Sequence, residues 1–136
     1  MFFMKKQRKI PLRRVLIVDD VDFNIEFEEK IIKALAREKK MDILVDTSNT
    51  VQGALARISD NEPYDAMVID MNLPDGSGVE IAQMAYKKSE HTRLAALTIY
   101  PGKYEDQQGY FDIFLRKPIM PHDYKHHFTY LLRLED

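Results

Sequence analysis

The chain has 136 residues, of which 45% are hydrophobic, and a formal net charge of −2. This length and composition predict one globular domain with a buried core. The absence of cysteine excludes disulfides and thiolate metal sites and favours a reducing compartment. Because no apolar run is long enough to span a membrane, and residues 1–4 are too short for the apolar core of a signal peptide, we expect a cytoplasmic protein.

Basic residues are concentrated near the N-terminus. Residues 5–14 contain six of the 20 basic residues and no acidic residue. Such an arm could contact nucleic acid or an anionic membrane, but a single short basic run is more often a solubilising extension. We therefore predict a basic N-terminal extension over residues 1–12, a folded domain over residues 13–136 and no direct binding of nucleic acid.

Short apolar runs alternate with helical patterns from residue 14 onward. The first run, residues 15–18, precedes a helix that opens at Asp22, and we predict that Glu28 lies on the solvent-facing side of this helix. Four apolar residues recur at helical spacing and predict its buried face: Phe27, Ile31, Ala34 and Leu35. A second strand at residues 41–46 and a helix capped by Ser48, Asn49 or Thr50 follow.

The second half of the chain repeats the alternation of strand and helix. A third strand ends at Asp70, a third helix covers residues 79–88, and a fourth strand ends at Thr98. Residues 103–108 allow about one or two helical turns. A fifth strand at residues 112–116 and a final helix from Pro121 complete a (βα)5 pattern. Such a pattern predicts an α/β fold with a parallel five-stranded sheet that is covered on both faces.

Polar residues of related chemistry stand at or just beyond the ends of four apolar runs: Asp19 and Asp20, Asp70, Thr98, and Lys117. Any one of them alone would be an ordinary polar residue at a strand end. Because ligands of open α/β sheets bind at the carboxyl ends of the strands, their joint placement predicts a shared site. Three converging carboxylates repel one another, and a hard divalent cation such as Mg²⁺ relieves that repulsion. Asp70 is the candidate nucleophile, since a carboxylate can form an acyl phosphate.

Three motifs resemble the receiver domain of two-component response regulators. They are VLIVDD at residues 15–20, YDAMVIDMNLPDGSG at residues 64–78 and FLRKP at residues 114–118, and the resemblance extends over about residues 13–134. It implies a doubly wound, flavodoxin-like fold and a cis peptide bond before Pro118.

The resemblance also implies roles for individual residues. Asp70 would accept a phosphoryl group from a phosphohistidine on a histidine kinase or a histidine phosphotransfer protein. Mg²⁺ would be bound by Asp20 directly, by Asp19 mainly through water, by Asp70 and by the backbone carbonyl of Asn72. The chain would therefore be a phosphoacceptor with at most weak self-dephosphorylation, and not an enzyme.

Signalling in this family implies three further roles. Thr98 and Lys117 would contact the phosphoryl oxygens, and Phe114 would be the aromatic residue that fills the space vacated by Thr98. For Phe114 the alternative is a purely structural role in the core. The added charge would shift an inactive–active equilibrium and change the binding of an output partner. The resemblance leaves open the identity of that partner, the formation of a homodimer and whether the domain stands alone or belongs to a hybrid kinase or a longer regulator.

The sequence departs from the family pattern after the fourth strand. Ile99 directly follows Thr98 where the family usually has a small residue, and Tyr100 comes next. We expect both side chains to restrict water and slow the loss of the phosphoryl group. The stretch from Thr98 to Lys117 is also several residues shorter than usual. We therefore predict a short or irregular fourth helix and non-standard partner contacts.

Two other functions fit parts of the pattern. A pseudo-receiver would keep the fold and bind partners without phosphorylation. The intact acid set argues against it, whereas Ile99 and the shortened fourth helix keep it as an alternative. A small phosphatase working through an aspartyl phosphate would need a second acid two residues after the nucleophile. That position is Asn72, which argues against the phosphatase.

Overall fold

The computed structural model describes residues 12–134, in which five parallel strands form one sheet. The elements in chain order are β1 (Leu12–Val18), α1 (Asp22–Lys39), β2 (Asp42–Ser48), α2 (Val51–Asp60), β3 (Ala66–Asp70), α3 (Gly78–Lys88), β4 (Arg93–Thr98), the 3₁₀ segment (Pro101–Tyr110), β5 (Ile113–Arg116) and α4 (Pro121–Leu131). The strand order is β2-β1-β3-β4-β5, which is the flavodoxin-like order and confirms the predicted fold class. Apart from Leu12, the predicted basic extension lies outside the described residues.

Side chains of the central strands alternate between two hydrophobic cores. Val15 and Ile17 of β1 belong to the core beneath α1 and α4, whereas Leu16 and Val18 belong to the core beneath α2 and α3. This alternation follows from the period of two in a β-strand. All five residues of β3 are buried, as expected of a central strand covered on both faces.

Side chains of the preceding loops cap the N-termini of α2 and α3. Thr50 is the cap of α2, and its side-chain oxygen accepts the Gly53 N–H at 3.0 Å, so one of the three predicted capping residues is correct. Ser77 and Glu80 form a capping box at the start of α3. The second strand ends at Ser48 rather than at the predicted residue 46, because its pairing with β1 continues as far as Val18.

The segment between β4 and β5 is irregular, as predicted. Pro101–Tyr110 adopts 3₁₀ geometry that is interrupted at Tyr104, where φ is −115° and ψ is 19°. None of its residues is buried. This segment therefore adds little apolar packing to the domain.

The prediction that Glu28 faces solvent is wrong. Glu28 is only 1% exposed and lies on the buried side of α1 with Ile25, Ile32 and Leu35. Spacings of three and four residues place these positions on one face of a helix, and the charge of Glu28 does not change that geometry.

Within residues 12–134, no helix combines the length and apolar character needed to cross a membrane.

Candidate functional site

The register of the sheet brings the predicted site residues to one edge. Asp70 is the last residue of β3 and pairs with Leu97 of β4, so that Thr98 lies one position further along the same edge. Thr98 in turn pairs with Arg116 of β5, and Lys117 follows directly. The carboxyl ends of neighbouring strands therefore place an acid, a hydroxyl and an ammonium side by side.

Lys117 joins two buried carboxylates. Its Nζ lies 3.1 Å from Oδ2 of Asp19 and 3.1 Å from Oδ2 of Asp70. Asp19 is 1% exposed and Asp70 is 5% exposed. Burial of Lys117 disfavours its charge, but the attraction of Asp70 and Asp19 outweighs this effect and raises the pKa of the ammonium. Lys117 is consequently charged in neutral solution.

The pKa of the Asp70 carboxyl is raised despite its contact with Lys117. Burial raises its pKa above the ordinary value, and the nearby Asp19 carboxylate raises it further. The Asn72 N–H, which donates to Asp70 Oδ1 at 2.9 Å, and the Lys117 ammonium offset only part of the increase. A further cation would therefore favour the ionised form of Asp70, which is the nucleophilic form.

Three carboxylates provide a place for such a cation. Asp19, Asp20 and Asp70 each offer an oxygen, and these oxygens lie within 4.8 Å of one another. Hard cations such as Mg²⁺ prefer carboxylate oxygen ligands, so the donor set fits the predicted metal. The predicted ligation by the carbonyl of Asn72 is not tested by these contacts and stays a prediction.

Thr98 is buried and already makes one hydrogen bond. Its Oγ1 accepts the backbone N–H of Tyr100 at 2.9 Å, which leaves the hydroxyl hydrogen free to donate elsewhere. Phe114 is half-buried on β5, and its ring packs edge-on against Phe111 with centroids 6.0 Å apart. The roles of Thr98 in sensing and of Phe114 in switching remain predictions.

Sequence reasoning missed several residues that hold the site. The Asn24 amide lies 3.4 Å from both carboxylate oxygens of Asp19, and the Asn49 amide donates to the Asp19 carbonyl at 3.0 Å. Asn49 reaches Asp19 from the loop after β2, so nothing local to Asp19 could have indicated this contact. The buried position of Glu28 was detectable, since it continues the apolar stripe of α1.

Comparisons with known proteins agree on one family. The family model described as "Response regulator receiver domain" matches residues 15–127. The sensor protein for aerobic respiration control ArcB of Escherichia coli is 27% identical over 86% of this chain and 15% of its own length. The response regulator protein PilR of Pseudomonas aeruginosa is 33% identical over 79% of this chain and 23% of its own length. The chain thus spans less than a quarter of the length of these curated relatives.

Solved structures show the same similarity. A CheY-like receiver domain protein from Methanospirillum hungatei superimposes with a TM-score of 0.76 and 25% identity, over 90% of this chain and 95% of the other. The response regulator TrrA of Thermotoga maritima, solved in complex with Mg²⁺ and BeF, gives a TM-score of 0.68 with 25% identity, over 88% of this chain and 99% of the other. The match of the family model over most of the sequence, with the acidic pocket at the edge of the sheet, shows that this chain belongs to the response regulator receiver domains.

Proposed function

We propose that this domain is a phosphorylation-activated switch of a two-component phosphorelay, with Asp70 as the phosphoacceptor. The observation that carries the proposal is the placement of the Asp70 carboxyl, which lies at the carboxyl edge of the central strand, 3.1 Å from Lys117 and beside two further acids. Phosphoryl transfer needs mainly positioning and charge neutralisation, and these are what the surrounding groups offer.

In the proposed reaction, an oxygen of Asp70 forms the new O–P bond. The N–P bond of a phosphohistidine on the donor breaks at the same phosphorus, and imidazole leaves. Asp19, Asp20 and Asp70, with the Asn72 carbonyl, would hold Mg²⁺. The bound ion would supply positive charge to the phosphoryl oxygens.

Lys117 and Thr98 are the proposed sensors of the product. A phosphoryl group adds about −1.5 to −2 charges at Asp70. The Lys117 ammonium, which now bridges Asp19 and Asp70, can follow this charge, and the free hydrogen of the Thr98 hydroxyl can be donated to a phosphoryl oxygen. Phe114 would then take up the space that Thr98 leaves, and the equilibrium between inactive and active conformations would shift.

We propose a histidine kinase or a histidine phosphotransfer protein as the phosphodonor. A donor must place an imidazole against Asp70, and therefore has to cover the surface around the pocket. Phe23 is 74% exposed and Met120 is 62% exposed on that surface, so apolar contact area is available to such a partner. The output partner and the oligomeric state are not specified by this proposal.

The alternative is a pseudo-receiver that binds partners without phosphorylation. The irregular 3₁₀ segment and the exposed Ile99 beside the pocket favour this alternative. The acid set at the strand ends is complete, however, and a module that never receives a phosphoryl group has no need of it. We therefore favour the phosphoacceptor.

The test is phosphorylation of the purified chain by a small phosphodonor with Mg²⁺, followed by intact-mass measurement. We expect a gain of one phosphoryl group that disappears in Asp70→Ala. Asp60→Ala is the matched control, because it removes an exposed aspartate at the end of α2, away from the pocket. A wild-type chain that gains no mass, and shows no spectral change with beryllium fluoride and Mg²⁺, would establish the pseudo-receiver instead.

A further inference from the structure

A cavity of about 730 Å³ opens beside the acidic pocket. It lies between the start of α1, the segment after β5 and the first turn of α4. Its walls are mainly apolar and include Phe23, Phe27, Ile119 and Met120. Cavities of this size with apolar walls and a few polar groups are typical of sites for small molecules.

Glu28 is the unexpected residue in the wall of this cavity. It is 1% exposed, and its Oε1 has no hydrogen-bond partner among the described residues 12–134. Buried polar atoms almost always have a partner, so an unpaired carboxyl oxygen calls for one that comes from outside the chain. An apolar residue would have served packing better at this position, because its neighbours on the helix face are Ile25 and Ile32.

The charged groups that line the cavity indicate which kind of small ligand would fit. Among the described residues, Glu28, Asp20 and Asp70 line the cavity together with one ammonium, that of Lys117. Lys117 already contacts Asp70 and Asp19, and its hydrogen bonds do not extend to Glu28. A ligand with positive charge and hydrogen-bond donors would match the unpaired carboxyl, and an apolar body would match the walls.

We propose that this cavity binds a small organic amine, whose ammonium donates to Oε1 of Glu28 and whose apolar body packs against Phe27 and Ile119. The proposal does not require phosphorylation of Asp70. Since Asp70 and Lys117 line the same cavity, a bound amine would also lie close to the path of the phosphoryl group.

In the unliganded domain Glu28 is largely protonated at neutral pH, and a bound ammonium would shift it towards the carboxylate. Burial, with a smaller contribution from Asp19, raises the pKa of Glu28 to about 8. An adjacent ammonium favours the ionised form of a buried carboxyl and strengthens the hydrogen bond that it accepts. The charge of Lys117 and a hydrogen bond from the hydroxyl of Tyr124, both of which line the cavity, lower the pKa of Glu28 but do not outweigh burial.

The test is an NMR titration of the whole chain with 2-phenylethylamine as the probe and 2-phenylethanol as its uncharged analogue. Excess Mg²⁺ is present throughout, so that the amine does not simply pair with the acids of the metal site. We expect saturable shifts of amide signals in α1 and α4 with the amine. In Glu28→Gln the affinity for the amine should fall by about tenfold, the loss of one charge-assisted hydrogen bond, while the affinity for the alcohol stays the same.

Glu29→Gln is the matched control, since Glu29 is the next residue of α1 and pairs with Lys33 at 3.6 Å. It should bind the amine as the wild type does. The proposal is overturned if the amine gives no saturable shifts, if amine and alcohol bind the wild type equally, or if Glu28→Gln binds the amine as tightly as the wild type. Signal dispersion in the same spectra reports whether each variant is folded, and Phe27→Leu is a second variant that should weaken the binding of both probes.

Discussion

Replacing Glu28 with Gln should make the stability of the domain less sensitive to pH. The substitution keeps the shape of the side chain and removes the group that titrates. In the folded chain burial raises the pKa of Glu28 from 4.5 to about 8, with a further contribution from Asp19. Between these two values the folded chain holds a proton that the unfolded chain has lost. The contribution of Glu28 to stability is therefore fully present below about pH 4.5 and is lost as the pH rises towards 8.

The size of the effect follows from the width of this pH window. Each pH unit inside it changes the free energy of unfolding by about 1.4 kcal/mol. Between pH 5 and pH 8 the wild type should thus lose roughly 3 to 4 kcal/mol that the Glu28→Gln variant retains. Asp70 and Lys117 also have shifted pKa values, and both proteins contain them.

Urea unfolding followed by circular dichroism at pH 5, 6, 7 and 8, without Mg²⁺, measures this difference. We expect the free energy of unfolding of Glu28→Gln, relative to the wild type, to rise steadily with pH. Glu29→Gln should give a flat difference, because Glu29 is partly exposed and forms a surface pair with Lys33. Parallel pH profiles for the wild type and Glu28→Gln would refute the assignment of a buried, proton-binding carboxyl at this position.

Three further changes test the site and its scaffold. Lys117→Met leaves Asp19 and Asp70 without their shared ammonium and should destabilise the fold by on the order of 2–4 kcal/mol. Mg²⁺ should then raise the melting temperature of the variant more than that of the wild type, and the lack of any rise in both proteins would contradict the proposed metal site. Thr50→Ala removes the cap of α2 and should cost about 1 kcal/mol in urea unfolding, whereas Thr50→Ser should cost little. Ile99→Ala should shorten the lifetime of the phosphorylated chain, measured by the decay of intact mass; an unchanged lifetime of many minutes would show that Ile99 does not restrict water.

The strand-end residues were predictable because two features of the sequence agree. The apolar runs have the length of buried strands, and the connections between them have the length of helices. The apolar run at residues 15–18 is too short for a helix and too apolar for a loop, and Asp19 follows it directly. The run before Asp70 has the same form, and the connections between the runs are long enough for helices. Parallel strands then bring their carboxyl ends together without further information.

The position of Glu28 was not predicted, for a physical reason. Sequence reasoning assigned it by charge, since an unpaired buried carboxyl is unfavourable and glutamate is rarely buried. The spacing from Ile25 and to Ile32 indicated the opposite. A residue for which spacing and polarity disagree is where a functional role is to be sought, because evolution keeps such a group only if something offsets its cost. The end of β2 was missed for a different reason, namely that its last residues are fixed by pairing with β1.

Hydrogen bonds connect the acidic site to the 3₁₀ segment after β4, which lies at the surface. Thr98 Oγ1 accepts the N–H of Tyr100, and the carbonyl of Tyr100 accepts the N–H of Lys103 at the start of the 3₁₀ segment. If phosphorylation draws the Thr98 hydroxyl towards Asp70, the bond to Tyr100 has to lengthen or break. Because no residue of Pro101–Tyr110 is buried, little packing opposes a rearrangement of the segment. A short, weakly packed segment is therefore compatible with the proposed signalling role.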